Sequence, residues 1–183
     1  MKLIDISTKT YPNTFTMVDD ADFDWLNQWK WGVARGATMV YASRWRRGSD
    51  IPGSNTVRMH RLIMNPGEGK IVDHIDYNPL NNQRSNLRVC THQENCWNKK
   101  KWMRNGFSIY KGVRLDRRKR RYGAKICFNS RDIEIGAFYS EIEAAKAYDA
   151  AAIKYFGAFA NLNFPEDLTT ILARHGAGKG EET

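Results

Sequence analysis

Residues 71–98 constrain the fold more than any other stretch. Ile71-Val72-Asp73-His74 reads as a short strand. Tyr77-Asn78-Pro79-Leu80-Asn81-Asn82 and Ser85-Asn86 are turn chemistry, because Asn and Ser side chains satisfy nearby backbone groups and Pro presets φ. Leu87 to Cys90 reads as a second strand. Thr91-x-x-Glu94 is a capping box, so a helix is predicted to start at His92, with Asn95 on its first full turn. The expected unit is strand, loop, strand, helix.

This unit gathers the residue types that phosphodiester hydrolysis needs: a base for the attacking water and donors for a charge-neutralising cation. His74 suits the base role, since an ordinary imidazole titrates near neutrality. Asp73 offers a carboxylate and Asn95 an amide oxygen, and Mg²⁺ takes such oxygen donors while keeping several waters. The helix start brings its positive dipole end to the phosphate. His60, Arg61, Arg84, Arg88 and His92 are candidates for phosphate contact, with solvated or packing roles the preferred reading.

Asp73-His74, Asn86 and Asn95, with Val72-Asp73-His74-Ile75-Asp76-x-Asn78-Pro79-Leu80-Asn81-Asn82 and Ser85-Asn86-Leu87-Arg88, resemble the HNH (ββα-metal) nuclease motif in its His-Asn-Asn variant, as found in phage and intron-encoded homing endonucleases. The resemblance implies His74 as general base and Asp73 with Asn95 holding one divalent metal, Mg²⁺ or Mn²⁺. It implies that Asn86 braces the loop and orients His74. The cysteine pairs that bind zinc in some HNH proteins are absent, so no structural zinc is expected. Cys90, Cys96 and Cys127 read as reduced, mostly packed thiols.

The net charge of +9 is unevenly spread. From Lys99 to Arg131 there are thirteen Lys or Arg and one acid, Asp116, a local +12 that leaves the remainder at −3. Such a block is the footprint of a polyanion partner, with a solvated basic face as the bland alternative. The block lies in a second predicted unit. Tyr110 to Arg114, Tyr122 to Phe128 and Ile133 to Phe138 read as three strands. Ser140-x-x-Glu143 is a capping box opening a helix through Phe156, ended by Gly157. Ala144, Ala145, Tyr148, Ala151, Ala152 and Tyr155 form its inward stripe.

Tyr110-x-Gly112-Val113-Arg114, Ile135-Gly136-x-Phe138, Glu143-Ala144-Ala145-x-Ala147-Tyr148-Asp149 and Leu162-Asn163-Phe164-Pro165 resemble the APETALA/ethylene-response-factor domain, which binds DNA through a three-stranded sheet. Tyr122, Cys127 and Glu134 depart from that family's Trp, Arg and Trp, so its sequence preference is not carried over. The expected DNA contacts are Arg114, Arg117, Arg118, Arg120, Arg121, Lys125 and Arg131.

The predicted class is α+β. A nuclease domain spans residues 1–104, with a β-rich leader and the core motif at 59–104. A sheet packed on one helix spans 105–165, and 166–183 is a flexible tail. The leader holds a short helix at Phe23–Trp31, with Asp22 as N-cap and Trp25, Trp29 and Trp31 on a core face. An apolar content of 42% with 12% aromatic residues supports folded cores. The expected function is a site-specific, homing-type DNA nickase acting on double-stranded DNA. A DNA-binding regulator with an idle nuclease fold is the alternative, and RNA as substrate stays open. No membrane association is expected, nor a signal peptide. The expected location is cytoplasmic, in a bacterial host if the chain is phage-encoded, and the expected state is a monomer, with a dimer left open.

Overall fold

The computed structural model describes residues 1–36, 39–45, 55–99, 108–116, 118 and 120–166. Arg117 and nearly all of the predicted tail therefore lie outside the described residues. The chain forms two compact units, Met1–Gln93 and Glu94–Thr183. It is mixed α and β, built on several small sheets.

In the first unit, β1 (Lys2–Asp5) and β2 (Phe15–Val18) pair antiparallel. Helix α1 (Asp20–Asn27) follows. It starts earlier than predicted, with Asp19 rather than Asp22 at the N-cap position. Asp22 is instead drawn inside, where Arg84 binds its two carboxylate oxygens at 2.8 Å each. That charge-assisted pair holds the Asp22 carboxyl below its usual range, against the opposing effect of burial. Strands β3 (Gly32–Arg35), β4 (Val40–Trp45) and β5 (Thr56–Arg58) form an antiparallel sheet in that order. Helix α2 (Met59–Met64) then leads to β6 (Ile71–His74), which pairs with β7 (Leu87–Cys90).

Apolar burial drives this assembly. Ile4, Ile6, Val18, Leu26, Trp31, Ala42, Met59, Ile63 and Leu87 make one core, drawn from every layer of the unit. Trp31 is buried and donates its indole N–H to the Leu26 carbonyl at 2.8 Å, while Trp25 and Trp29 flank the core. The tryptophan stripe is packing, as its spacing predicts.

The division between the units falls inside α3 (His92–Asn98), not at residue 104. Side chains of the second unit hold the later part of this helix. Trp97 stacks on Phe156 and Phe128, with ring centroids 4.8 and 5.5 Å away. Lys111 Nζ donates to the carbonyls of Trp97 and Lys99 at 2.6 and 2.8 Å, and Asn161 Nδ2 donates to that of Asn98 at 2.9 Å. These donors satisfy carbonyls that a helix end leaves open. Burial lowers the Lys111 pKa to about 8, and the nearby Asp149 carboxylate opposes that shift.

The second unit continues with β8 (Val113–Asp116), β9 (Arg121–Phe128), β10 (Arg131–Phe138) and α4 (Glu141–Phe156). The sheet is antiparallel in the order β10-β9-β8, with an irregularity between Glu134 and Gly136. Ser140 caps α4 by accepting the Glu143 N–H, as the capping box predicts. Ala144, Ala145, Tyr148 and Ala152 are buried against the sheet, so small side chains let the helix lie close. Buried Asp149 accepts the backbone N–H groups of Asn163 and Phe164 at 2.9 Å each, which ties the following segment to the helix.

Candidate functional site

Asp73 and His74 end β6, facing β7 in register with Arg88 and Leu87. Alternation along the strand puts neighbouring side chains on opposite faces, and the two residues meet different surroundings. Asp73 pairs across the ladder with Arg88, whose Nε and Nη2 approach Oδ2 at 3.0 and 2.9 Å. Both side chains are largely covered, at 17% and 11% exposure for Arg88 and Asp73. Arg84 and Arg88 thus engage Asp22 and Asp73, in line with the packing reading.

His74 is 7% exposed and His60 is 4% exposed. Their rings meet edge to face with centroids 5.0 Å apart, and Tyr41 lies 5.5 Å from His60 and 6.3 Å from His74. His74 Nε2 lies 3.3 Å from Asn82 Oδ1. Burial lowers the His74 pKa, outweighing the Asn82 bond and the Asp76 and Asp73 carboxylates that favour its charged form. Burial lowers His60 further, to about 3, helped by the positive charge of His74, Arg58 and Arg61. Burial thus favours the neutral form of both rings, the form in which an imidazole can accept a proton.

The loop between β6 and β7 is built on Asp76. Its Oδ1 accepts the Asn78 backbone N–H at 2.8 Å and Asn86 Nδ2 at 2.9 Å, and its Oδ2 accepts Asn81 Nδ2 at 2.8 Å. Burial alone would raise the Asp76 pKa, but these three donors outweigh it and hold the carboxyl below its usual range. Asn86 also accepts the Asp76 N–H at 3.0 Å and donates to the Asn81 carbonyl at 2.8 Å. Its side chain serves the loop, whereas the amide against the His74 ring is Asn82. That second amide is a site residue the sequence reading left among the turn residues. Asn95 lies on α3 in the second unit, half-buried.

His60 carries a consequence for stability. Its pKa is far lower in the folded chain than the ordinary 6.5, so the unfolded chain takes up the proton first. Stability is therefore full above about pH 6.5 and lost as pH falls towards 3, by up to about 1.4 kcal/mol per pH unit. Thermal midpoints measured between pH 7 and 4 should fall more steeply for the wild type than for His60→Phe. Parallel curves would remove the buried neutral imidazole from the account.

In the second unit, Arg114, Arg121 and Lys125 alternate with packed residues of β8 and β9 and so lie on the sheet face away from α4. Arg118 and Arg120 lie in the turn between those strands, and Arg131 stands opposite Phe128, on the side of the sheet that packs on α4. Arg114, Arg118, Arg120 and Arg131 are exposed, and Arg121 and Lys125 are half-buried. The face away from α4 is not uniformly basic. Lys125 donates to Asp132 at 2.6 Å and sits opposite Glu134, and the Arg121 guanidinium lies 4.4 Å over the Tyr139 ring. Cys96 and Cys127 are exposed and only Cys90 is buried, which corrects the expectation of mostly packed thiols.

Residues 59–96 match the HNH endonuclease family. An uncharacterized HNH endonuclease of Acanthamoeba polyphaga mimivirus is 40% identical over 113 residues, covering 58% of this chain and 57% of its own. Two AP2-like ethylene-responsive transcription factors of Arabidopsis thaliana, AIL7 and AIL6, are 41% and 44% identical over 68 and 61 residues. Each alignment covers 32% of this chain, but 14% and 10% of the plant proteins. The chain thus spans little more than half of the viral relative and a small part of the plant ones. The family match supports a nuclease and the plant matches hint at a DNA-binding unit. Among the described residues no helix is long and apolar enough to cross a membrane.

Proposed function

We propose that this protein is a site-specific DNA endonuclease that hydrolyses one phosphodiester per active site, with His74 as general base. The observation that carries the proposal is a buried imidazole whose Nε2 faces a side-chain amide, next in sequence to a carboxylate on β6, within the segment that matches the HNH family. His74 takes the proton of the attacking water. Asn86 and Asp76 hold the loop that follows β6, and so the end of the strand that carries the base. One active site per chain gives a nick, and two chains acting together give a double-strand cut.

The donor chemistry fits a hard divalent cation. Among the described residues no three or more His, Cys, Asp or Glu side chains gather around one point. A cation here would have few protein ligands and complete its shell with water and phosphate oxygens, as Mg²⁺ does. Asp73, with Asn95 by motif position, would hold it. When bound, it would stabilise charge on the phosphate and the leaving oxygen.

The sheet of the second unit is proposed to dock the target in homing-type fashion, through Arg114, Arg118, Arg120, Arg121, Lys125 and Arg131, with Arg117 beside them in sequence. Its likeness to a segment of plant transcription factors supports this docking. Removing one phosphate contact, as in Arg114→Ala, should reduce the dependence of log affinity on log salt by about 0.9. An unchanged slope would take Arg114 off the interface.

Cleavage is tested with supercoiled plasmid carrying source DNA, in Mg²⁺, in Mn²⁺ and in EDTA. Relaxed circles that form with metal and stop with EDTA are expected. Tight binding with no cleavage of any DNA in either metal would favour a regulator.

A further inference from the structure

We propose that Thr16 and Asn82 are positioning residues that lock His74 in its Nε2–H tautomer, so that Nδ1 is the nitrogen that accepts the proton. The proposal rests on the reading of His74 as general base. The argument is a count of protons along one buried chain of hydrogen bonds. Thr16 Oγ1 lies 2.8 Å from the Leu80 carbonyl oxygen, which can only accept. The single hydroxyl proton of Thr16 is therefore spent there, and towards Asn82 the hydroxyl can only accept. Asn82 approaches Thr16 Oγ1 at 2.7 Å, so the end of the amide facing it must be the NH₂ group. The Pro79 carbonyl, 3.4 Å from the same nitrogen, makes the same demand.

The amide orientation is thus set by partners that cannot reverse roles, which is how such flips are decided. Its other end, the oxygen, faces His74 Nε2. An amide oxygen has no proton to give, so the proton between them belongs to Nε2. A neutral imidazole carries one N–H, which leaves the lone pair on Nδ1. Thr16 and Asn82 are both fully buried, so water does not rearrange the chain, and in such surroundings an unmade hydrogen bond is costly. The Asn82 backbone adds rigidity: its N–H donates to the Met17 carbonyl at 2.8 Å, and the Met17 N–H donates to the Leu80 carbonyl at 2.8 Å.

In the reaction, an O–H bond of water breaks and its proton passes to Nδ1. The oxygen forms a bond to phosphorus as the bond to the leaving 3′ oxygen breaks, and solvent protonates that oxygen. The imidazolium formed keeps its Nε2–H on Asn82, so no group has to turn during the step. The hairpin strand β2, far upstream of the HNH-matching segment, thereby becomes part of the apparatus that aims the base.

The test uses the full chain labelled with ¹⁵N and long-range ¹H–¹⁵N correlation of its imidazoles at pH 7–8, with His74→Gln to assign the signal. His74 is expected to show a protonated Nε2 and an unprotonated Nδ1. Thr16→Val, which removes the acceptor for the Asn82 amide, should give a mixed or reversed tautomer and lower kcat at least tenfold with KM for DNA little changed. Thr16→Ser, which restores the hydroxyl, should recover both. An Nδ1–H spectrum in the wild type would overturn the proposal even if no variant folded, as would a Thr16→Val protein matching Thr16→Ser in tautomer and rate. If the wild type shows Nε2–H but His74→Ala cleaves at full rate, the base reading falls and the lock stands. If His74→Ala is inactive but the spectrum is Nδ1–H, the lock falls and the base reading stands.

Discussion

His74→Ala is expected to slow cleavage of a single bound DNA by roughly 10²–10⁴, the usual worth of a positioned general base. That range corresponds to about 3–5 kcal/mol of barrier. The change removes the imidazole that meets His60 edge to face and the group opposite Asn82 Oδ1, so some stability is also lost. The measurement therefore needs DNA affinity and a thermal midpoint beside the single-turnover rate. A catalytic role predicts a large fall in rate at saturating DNA with affinity nearly intact. An unaltered rate in a folded protein would remove His74 from the chemistry and return it to packing.

Gly112→Ala should destabilise the second unit by about 2–5 kcal/mol. Two separate costs act at this position. Gly112 has φ +76°, in the left-handed region where a side chain costs roughly 1–2 kcal/mol. An added Cβ would also lie 1.9 Å from Cδ2 of Tyr148 and 2.3 Å from its Cε2. Tyr148 is buried on α4 against Ile126, Ala152 and Phe156 and has little room to yield, and overpacking of such a site costs about 1–3 kcal/mol more. Denaturant unfolding of Gly112→Ala measures the summed loss. A loss below about 1 kcal/mol would mean that neither cost acts at this position.

Much of the local architecture was legible in the residues themselves. Capping boxes at Thr91 and Ser140 mark helix starts because a hydroxyl three residues ahead of an acid satisfies backbone N–H groups that a helix leaves open. Alternation in Tyr122 to Phe128 marks a strand with one packed face, and the small stripe of Ala144, Ala145 and Ala152 marks a helix lying close on a sheet. Asp73-His74 stood out as chemistry in a loop-flanked strand. Asp22 was misread as a cap, because a local rule sees an acid before a helix and not Arg84, 62 positions away. Trp97 was placed with the nuclease half, since nothing near it in sequence announces Phe128 and Phe156. Asn82 went unnoticed for a related reason: its partner Thr16 is 66 positions away.

The sequence by itself determined most of the elements and the capping boxes at Thr91 and Ser140, and marked Asp73 and His74 as candidates for chemistry, because each depends on neighbours within a turn or a strand, where side chain and backbone meet regardless of the rest of the chain. Tertiary structure alone decided that His74 is buried, that Asn82 rather than Asn86 meets its ring, that Arg88 is spent on Asp73, and that the end of α3 is held by the second unit. Those outcomes follow from burial. Once distant segments exclude water together, every polar group inside must take whichever partner the packing brings within reach, and no local pattern carries that information.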